Sequence, residues 1–278
     1  MKLQTIVEIK PSERKIGYED RILMLGSCFS DEIGAQMAQR NMQVTCNPFG
    51  TLYNPLSIAN AINYQLHQLP LVEYDGLWHS MAHHGSFSRA TREEAEQAVN
   101  ESVEVMQRAL NEATVLIVTF GTAWVYEMNG EVVANCHKMP ENWFTRRRLT
   151  VEEIVATWKP ILEQYKDKYW IFTVSPIRHI KDGLHENQLS KATLLMAVDQ
   201  MVNSQWSNGK LHYFPSYEIL LDELRDYRFY ADDLVHPSSL AVNYIWERFA
   251  DTYCTNQTRN QMNIELKRWK FDHHRPLH

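Results

Sequence analysis

Ser27, Asp233 and His236 are the residues whose types and surroundings suit nucleophilic chemistry in this chain. Ser27 closes the run Ile22-Leu23-Met24-Leu25-Gly26-Ser27, and Cys28-Phe29-Ser30-Asp31-Glu32 follows. A serine hydroxyl attacks a carbonyl only when a base removes its proton, normally a histidine held by a carboxylate. Of the twelve histidines, His236 has the context for that role, in Asp232-Asp233-Leu234-Val235-His236-Pro237-Ser238. Asp233 sits close enough within a turn to accept an imidazole N–H and select the tautomer. Cys28 is the rival nucleophile, since a thiol at a helix N-terminus is driven toward thiolate. The alternation after Gly26 points Cys28 and Ser27 in different directions, which favours the serine. The plainer reading is that Ser27 or Ser30 only caps a helix.

The elements that must position these residues follow from the apolar spacing. Residues 22–25 are apolar without alternation, as in a central strand covered on both faces. Asp31-Glu32, with Ile33 and Met37 four apart, then predicts a helix. The strand-to-helix corner sets Ser27 beside backbone N–H groups and a positive dipole end, where a nucleophile or an anion is favoured. Further strands are expected at 42–46, 114–121, 169–174 and 211–214. Helices are expected after Asn54-Pro55 (Ile58, Ile62, Leu66), after Thr91-x-x-Glu94 (Val99, Val103, Met106, Leu110) and after Thr150-x-x-Glu153 (Ile154, Trp158, Ile161). Two more carry Leu194, Val198, Met201 and Val202 and, after Pro237, Val242, Trp246 and Phe249. Asn129-Gly130 predicts a hairpin within 125–138. Residues 67–90 lack periodicity and read as a long binding loop or lid.

Strands alternating with amphipathic helices place the chain in the α/β class with a parallel, doubly wound sheet. One domain is expected over 1–278, with a core at about 20–250, a hairpin insertion at 125–148 and a tail at 256–278. Ligands in such folds bind beyond the carboxyl ends of the strands, where Ser27, Gly121 and Ser175 fall.

A formal charge of −6 argues against a nucleic-acid partner, and Arg146-Arg147-Arg148 reads as a solvated run. The four cysteines show no metal spacing and read as free thiols; neither a metal nor an organic cofactor is expected. Residues 1–22 lack an apolar leader and no run is long enough to span a bilayer, so a soluble, cytoplasmic protein is expected. Eight Trp and thirteen Tyr are a mild pointer to a cleft for a flat or sugar-like ligand. Trp124, with Trp78 and Trp143, is a candidate sugar platform, core packing being the alternative for Trp124. His137-Lys138 and Arg178-His179, near the expected mouth, are candidates for holding a hydroxyl-rich or anionic group, and their alternative role is to brace loops.

A Gly-Ser after the first strand and an Asp-x-x-His before the last helix resemble the layout of SGNH, or GDSL-like, hydrolases. The chain most resembles one branch, the GSCFA-domain family. Gly26-Ser27-Cys28-Phe29 spells that name apart from Ser30 in the final place. Asn47-Pro48-Phe49-Gly50-Thr51, Phe120-Gly121-Thr122-Ala123-Trp124 and Cys136-His137-Lys138 look like further blocks of the family. So do Val174-Ser175-Pro176-Ile177-Arg178-His179 and Asp233-Leu234-Val235-His236-Pro237. The resemblance implies a three-layer α/β/α, flavodoxin-like fold with a mainly parallel five-stranded sheet. It implies Ser27 as nucleophile, Asp233 and His236 as its partners, and the Ser27 and Gly50 N–H groups as oxyanion donors. SGNH enzymes usually add an Asn from a G-x-N-D block, but Ala123 stands at that place here. Losing one such donor costs ~10²–10³ in rate. Asn54, near Gly50, is a candidate replacement and, on its other reading, a helix cap.

The expected activity is that of a serine esterase or acyl hydrolase on a small-molecule or carbohydrate ester, an O-acyl sugar being one such substrate. Acyl transfer from the same serine is one alternative. A non-catalytic carbohydrate-binding module with a degenerate oxyanion site is another. A flavin or nucleotide site would need a glycine-rich phosphate loop, and Gly-Ser-Cys-Phe-Ser is a poor cradle.

Overall fold

The computed structural model describes residues 4–64 and 68–273. Its first elements are β1 (Arg21–Gly26), α1 (Cys28–Ala38), β2 (Gln43–Cys46) and α2 (Pro55–Ile62). An antiparallel pair, β3 (Leu71–Tyr74) and β4 (Leu77–Ser80), precedes α3 (Arg92–Glu112) and β5 (Val115–Phe120). β6 (Trp124–Met128), β7 (Glu131–Val133) and β8 (Thr145–Arg148) then form a second sheet in the order β7-β6-β8. After it come α4 (Val151–Gln164), β9 (Tyr169–Val174), α5 (Leu184–Val202) and β10 (Leu211–Phe214). α6 (Ser216–Glu218), α7 (Ser239–Tyr253) and α8 (Asn256–Asp272) end the described chain.

β1, β2, β5, β9 and β10 form one parallel sheet in the order β10-β9-β5-β1-β2. The chain runs outward from β1 to β2 and then crosses back to β5. Such a reversal opens a crevice at the carboxyl ends of the strands on either side of it. Gly26 pairs with Thr119 and Phe120 with Val174, so Ser27, Gly121 and Ser175 leave neighbouring strand ends.

Both faces of this sheet are covered. Leu23, Leu25, Leu116, Val118, Trp170 and Phe172 pack against α2, α3, α4 and α5. Their alternates Ile22, Met24, Val115, Ile117, Tyr169 and Ile171 pack against α1 and α7. Burial on both sides is why these strands are uniformly apolar, and the result is a three-layer α/β/α, flavodoxin-like fold. Among the described residues no helix is long and apolar enough to cross a membrane.

Two stretches differ from expectation. Residues 68–90 are not one long loop: β3 and β4 meet at Asp75-Gly76, whose φ of 50° and 72° suit a tight hairpin turn. The Asp-Gly pair was the signal for it, and each flanking strand is only four residues long, too short to show alternation. Arg146-Arg147-Arg148 is not a free basic run but most of β8, paired with β6. Each guanidinium there meets a carboxylate: Arg146 with Asp182, Arg147 with Glu127 and Glu153 at 2.7 Å, Arg148 with Glu186 at 3.8 Å. Leu66, expected on the apolar face of α2, lies outside the described residues.

Candidate active site

The corner after β1 depends on Gly26. Its φ of 134° is open only to glycine, and a side chain there would run into the Thr119 carbonyl of β5. Asn47 braces the turn by accepting the Gly26 N–H on Oδ1 at 2.8 Å and donating from Nδ2 to Asp31 at 2.7 Å. Ser27 then takes the N-cap position of α1, yet its hydroxyl makes no capping bond. The side chain is fully buried, and Oγ has no hydrogen-bond partner. Ser30 is engaged instead, donating to Thr119 Oγ1 at 2.7 Å. Burial pushes the neighbouring Cys28 thiol up, away from thiolate, despite its place at the helix end.

The Asp233–His236 pair is built by its own loop. Tyr230 and Pro237 bridge its two ends, and Leu234 turns it in the left-handed region at φ 58°. Asp233 Oδ1 accepts the N–H groups of Val235 and His236, both at 2.9 Å. Its Oδ2 accepts from His236 Nδ1 at 2.6 Å. These bonds hold the carboxyl down at about 2, so it is an anion at any working pH. Arg178, just beyond β9, clasps the loop: its guanidinium donates to Leu234 O at 3.0 Å and its N–H to Val235 O at 3.1 Å.

Gly121 lets its neighbours pack closely on its backbone. A methyl group on it would lie 3.3 Å from Ser27 Cβ, 3.3 Å from His179 Nε2 and 3.0 Å from the Tyr53 carbonyl. Ser27 Cβ and His179 Nε2 therefore both press on the bare Cα of Gly121, where even a methyl group would be crowded. His179 Nε2 is buried with no partner, as Ser27 Oγ is. Burial, with help from the charges of Lys191, His236 and Arg146, holds this imidazole down at about 3, so it is neutral. The wholly buried Lys191 donates to Gly121 O and Ser175 O, both at 2.7 Å. Desolvation lowers its amine to about 7.

The GSCFA family matches this chain over residues 21–249, a span that includes Ser27, Gly50, Gly121, His179, Asp233 and His236. The chain belongs to the GSCFA family. No curated protein matches it.

The blocks that look GSCFA-like carry site residues of several kinds. The structure brings Ser27 and His179 together around Gly121 and pairs Asp233 with His236, while Ser27 Oγ makes no hydrogen bond to the His236 imidazole. The expected oxyanion donors are engaged elsewhere. The Ser27 N–H donates to Thr119 O at 3.2 Å and the Gly50 N–H to Asn47 O at 2.8 Å. Asn54 caps α2, accepting from the Ser57 N–H at 2.8 Å and donating to Ser57 Oγ at 2.9 Å. Ala123 is buried in the core, and its N–H goes to Ser190 Oγ at 2.8 Å.

Trp124 carries the Arg146 guanidinium 5.0 Å over its ring, so that face is covered and not a platform for a sugar. His137 belongs to a second group of imidazoles, with its ring 4.9 Å from that of His79 and Nε2 on Ser80 O at 3.0 Å. Arg178 braces the histidine loop, as described, rather than standing free for a substrate.

Sequence reasoning missed Lys191 and Tyr53. The signal for Lys191 is its alignment with Leu194, Val198 and Met201 on the apolar face of α5, an odd place for an ammonium. Tyr53 had none: its carbonyl accepts the N–H groups of Gly121 and Thr122 at 2.8 and 2.9 Å, a purely tertiary contact. Beside Arg178 opens a cavity of about 230 Å³ lined by Tyr217, Tyr227, Tyr230, Leu184 and Leu221. A larger cleft, about 550 Å³, sits by Thr114, Tyr169 and His212 at the opposite end of the strands.

Proposed function

We propose that this GSCFA protein is a serine acyl hydrolase of the SGNH type, acting on an ester of a hydroxyl-rich, sugar-like alcohol. The observation that carries the reading is the state of Ser27: its hydroxyl is buried and bound to nothing, in a chain that also holds an imidazole on a carboxylate at Asp233–His236. A serine kept for structure alone would use its hydroxyl on the cap or on a nearby carbonyl.

In the reaction, His236 takes the Ser27 proton on Nε2 while its Nδ1–H stays on Asp233. Ser27 Oγ bonds to the ester carbon, and the carbonyl electron pair moves onto oxygen at the positive end of the α1 dipole. Collapse re-forms the carbonyl and breaks the bond to the alcohol oxygen, which receives the proton from His236. Water then attacks the acylated Ser27 with His236 again as base. The acid leaves as Ser27 recovers its proton.

The tyrosine-lined cavity beside Arg178 would take the alcohol, since tyrosine faces suit a hydroxylated ring. The test is labelling by a fluorophosphonate probe together with hydrolysis of an acetylated sugar. Both should vanish in Ser27→Ala. A wild-type protein that does not label, or a Ser27→Ala variant with full activity, rejects the reading.

Acyl transfer uses the same steps with an acceptor alcohol in place of water. The complete burial of Ser27 favours it, because it keeps bulk water from the acyl-enzyme. Product analysis with a sugar acceptor separates the two, since transfer yields acylated acceptor and hydrolysis only free acid.

A further inference from the structure

Serine acyl chemistry needs a donor aimed at the developing oxyanion, and each expected donor is committed elsewhere: Ser27 N–H to Thr119, Gly50 N–H to Asn47, Asn54 to Ser57. One unpartnered group neighbours Ser27 at Gly121, the imidazole of His179. We propose that His179, in its Nε2–H tautomer, is the catalytic residue that donates to the oxyanion, in place of the amide that position 123 lacks. The proposal rests on the reading of Ser27 as the nucleophile.

The geometry comes first. Nε2 and Ser27 Cβ each lie 3.3 Å from the point where a Cβ on Gly121 would stand, which makes the two side chains close neighbours at one glycine. Buried without a partner, Nε2 meets no competing acceptor until a substrate oxygen arrives, and a dry site strengthens that bond.

The ring is also held in place. The His179 backbone N–H donates to Asn187 Oδ1 at 2.9 Å, and the Tyr53 ring meets the imidazole edge-on at 5.8 Å between centroids. The preceding Arg178 is tied to Leu234 and Val235 of the histidine loop. The two imidazoles thus divide the work. His236, backed by the Asp233 carboxylate, moves the proton; His179, neutral at working pH, donates one N–H and keeps it through every step. No bond to His179 forms or breaks.

Steady-state kinetics on p-nitrophenyl acetate test the assignment. His179→Ala should lower kcat by ~10²–10³ with KM nearly unchanged, the signature of a contact made only in the transition state. His179→Gln, which keeps a side-chain N–H donor, should recover part of the loss. The acid limb of its pH profile should match wild type, because the base is elsewhere. A kcat for His179→Ala within about threefold of wild type, with Ser27 still labelling, overturns the donor role alone. So does a shifted acid limb in His179→Gln while His236→Ala stays active, which would make His179 the base. Wild-type protein that does not label at Ser27 overturns the nucleophile reading and the donor role with it.

A second measurement needs no alanine variant. In the phosphonylated Ser27 adduct the phosphonyl oxygen stands in for the oxyanion. Proton NMR of that adduct should show a downfield imidazole N–H that is missing from free protein and from the His179→Gln adduct. A spectrum without it overturns the proposal.

Discussion

Asp233 grips His236 at two points: Oδ1 accepts its backbone N–H at 2.9 Å and Oδ2 accepts from Nδ1 at 2.6 Å. Asp233→Asn keeps the backbone contact but sets an amide N–H₂ opposite Nδ1. The imidazole must then carry its proton on Nε2, where the base is needed. We expect kcat to fall by ~10³–10⁴, as such tautomer reversals do in serine triads, with little change in thermal midpoint because the pair is half exposed. Kinetics beside a melting scan check this, and a loss smaller than about tenfold would remove Asp233 from the mechanism.

Gly121→Ala should crowd both Ser27 and His179. The added methyl would stand 3.3 Å from both and 3.0 Å from the Tyr53 carbonyl. Overpacking of this kind costs ~1–3 kcal/mol, offset by ~0.4–1 kcal/mol from a stiffer unfolded chain. The protein should therefore fold while probe labelling of Ser27 slows by at least about tenfold. Labelling at the wild-type rate in folded Gly121→Ala would mean that substrate reaches Ser27 by another route.

Gly26→Ala should act on stability rather than on chemistry. At φ 134° an alanine is strained, and its methyl would meet the Thr119 carbonyl. The expected loss is at least ~2–3 kcal/mol, seen as a lower urea midpoint with an unchanged slope. A loss below ~1 kcal/mol would show that β1 can pull away from β5 at no great cost.

Lys191 makes stability depend on pH with a definite sign. Its folded-state amine is lowered to about 7, well below the ordinary lysine value, so between the two the unfolded chain binds more protons. Stability from this group therefore rises as pH increases above about 7 and is penalised below it. Lys191→Met should lack that rise, although it also strands the Gly121 and Ser175 carbonyls that the amine now satisfies. Denaturant midpoints of both proteins at pH 7, 8 and 9 check it. The wild-type advantage should widen with pH, and a constant difference would mean that the buried amine does not titrate in this window.

Much of the molecule is legible in the chain because the interactions concerned close within a few residues. The apolar runs of β1, β5 and β9, the capping boxes of α3 and α4, and Asn129-Gly130 at φ 53° and 83° are all local. So is the carboxylate of Asp233 on His236, which needs only one turn of backbone between them. The blocks around Gly26, Gly50, Gly121, Ser175 and His236 identify the GSCFA family on the same basis.

What the tertiary structure alone decides is which of these polar groups remain free. A serine at an N-cap ordinarily caps; Ser27 does not, because the sheet beside it takes its N–H and buries its hydroxyl. The Gly50 N–H and the Asn54 amide, both plausible donors in sequence, are used up by a turn and by α2. Arg178 reaches the histidine loop and Lys191 reaches Gly121 across 56 and 70 residues of chain, contacts set by strand order rather than by any neighbouring pattern. His179 emerges by the same route. The sequence offers it only as a residue to hold a substrate group or brace a loop, and the packing of β1, β5 and β9 brings its buried, unbonded Nε2 close to Ser27.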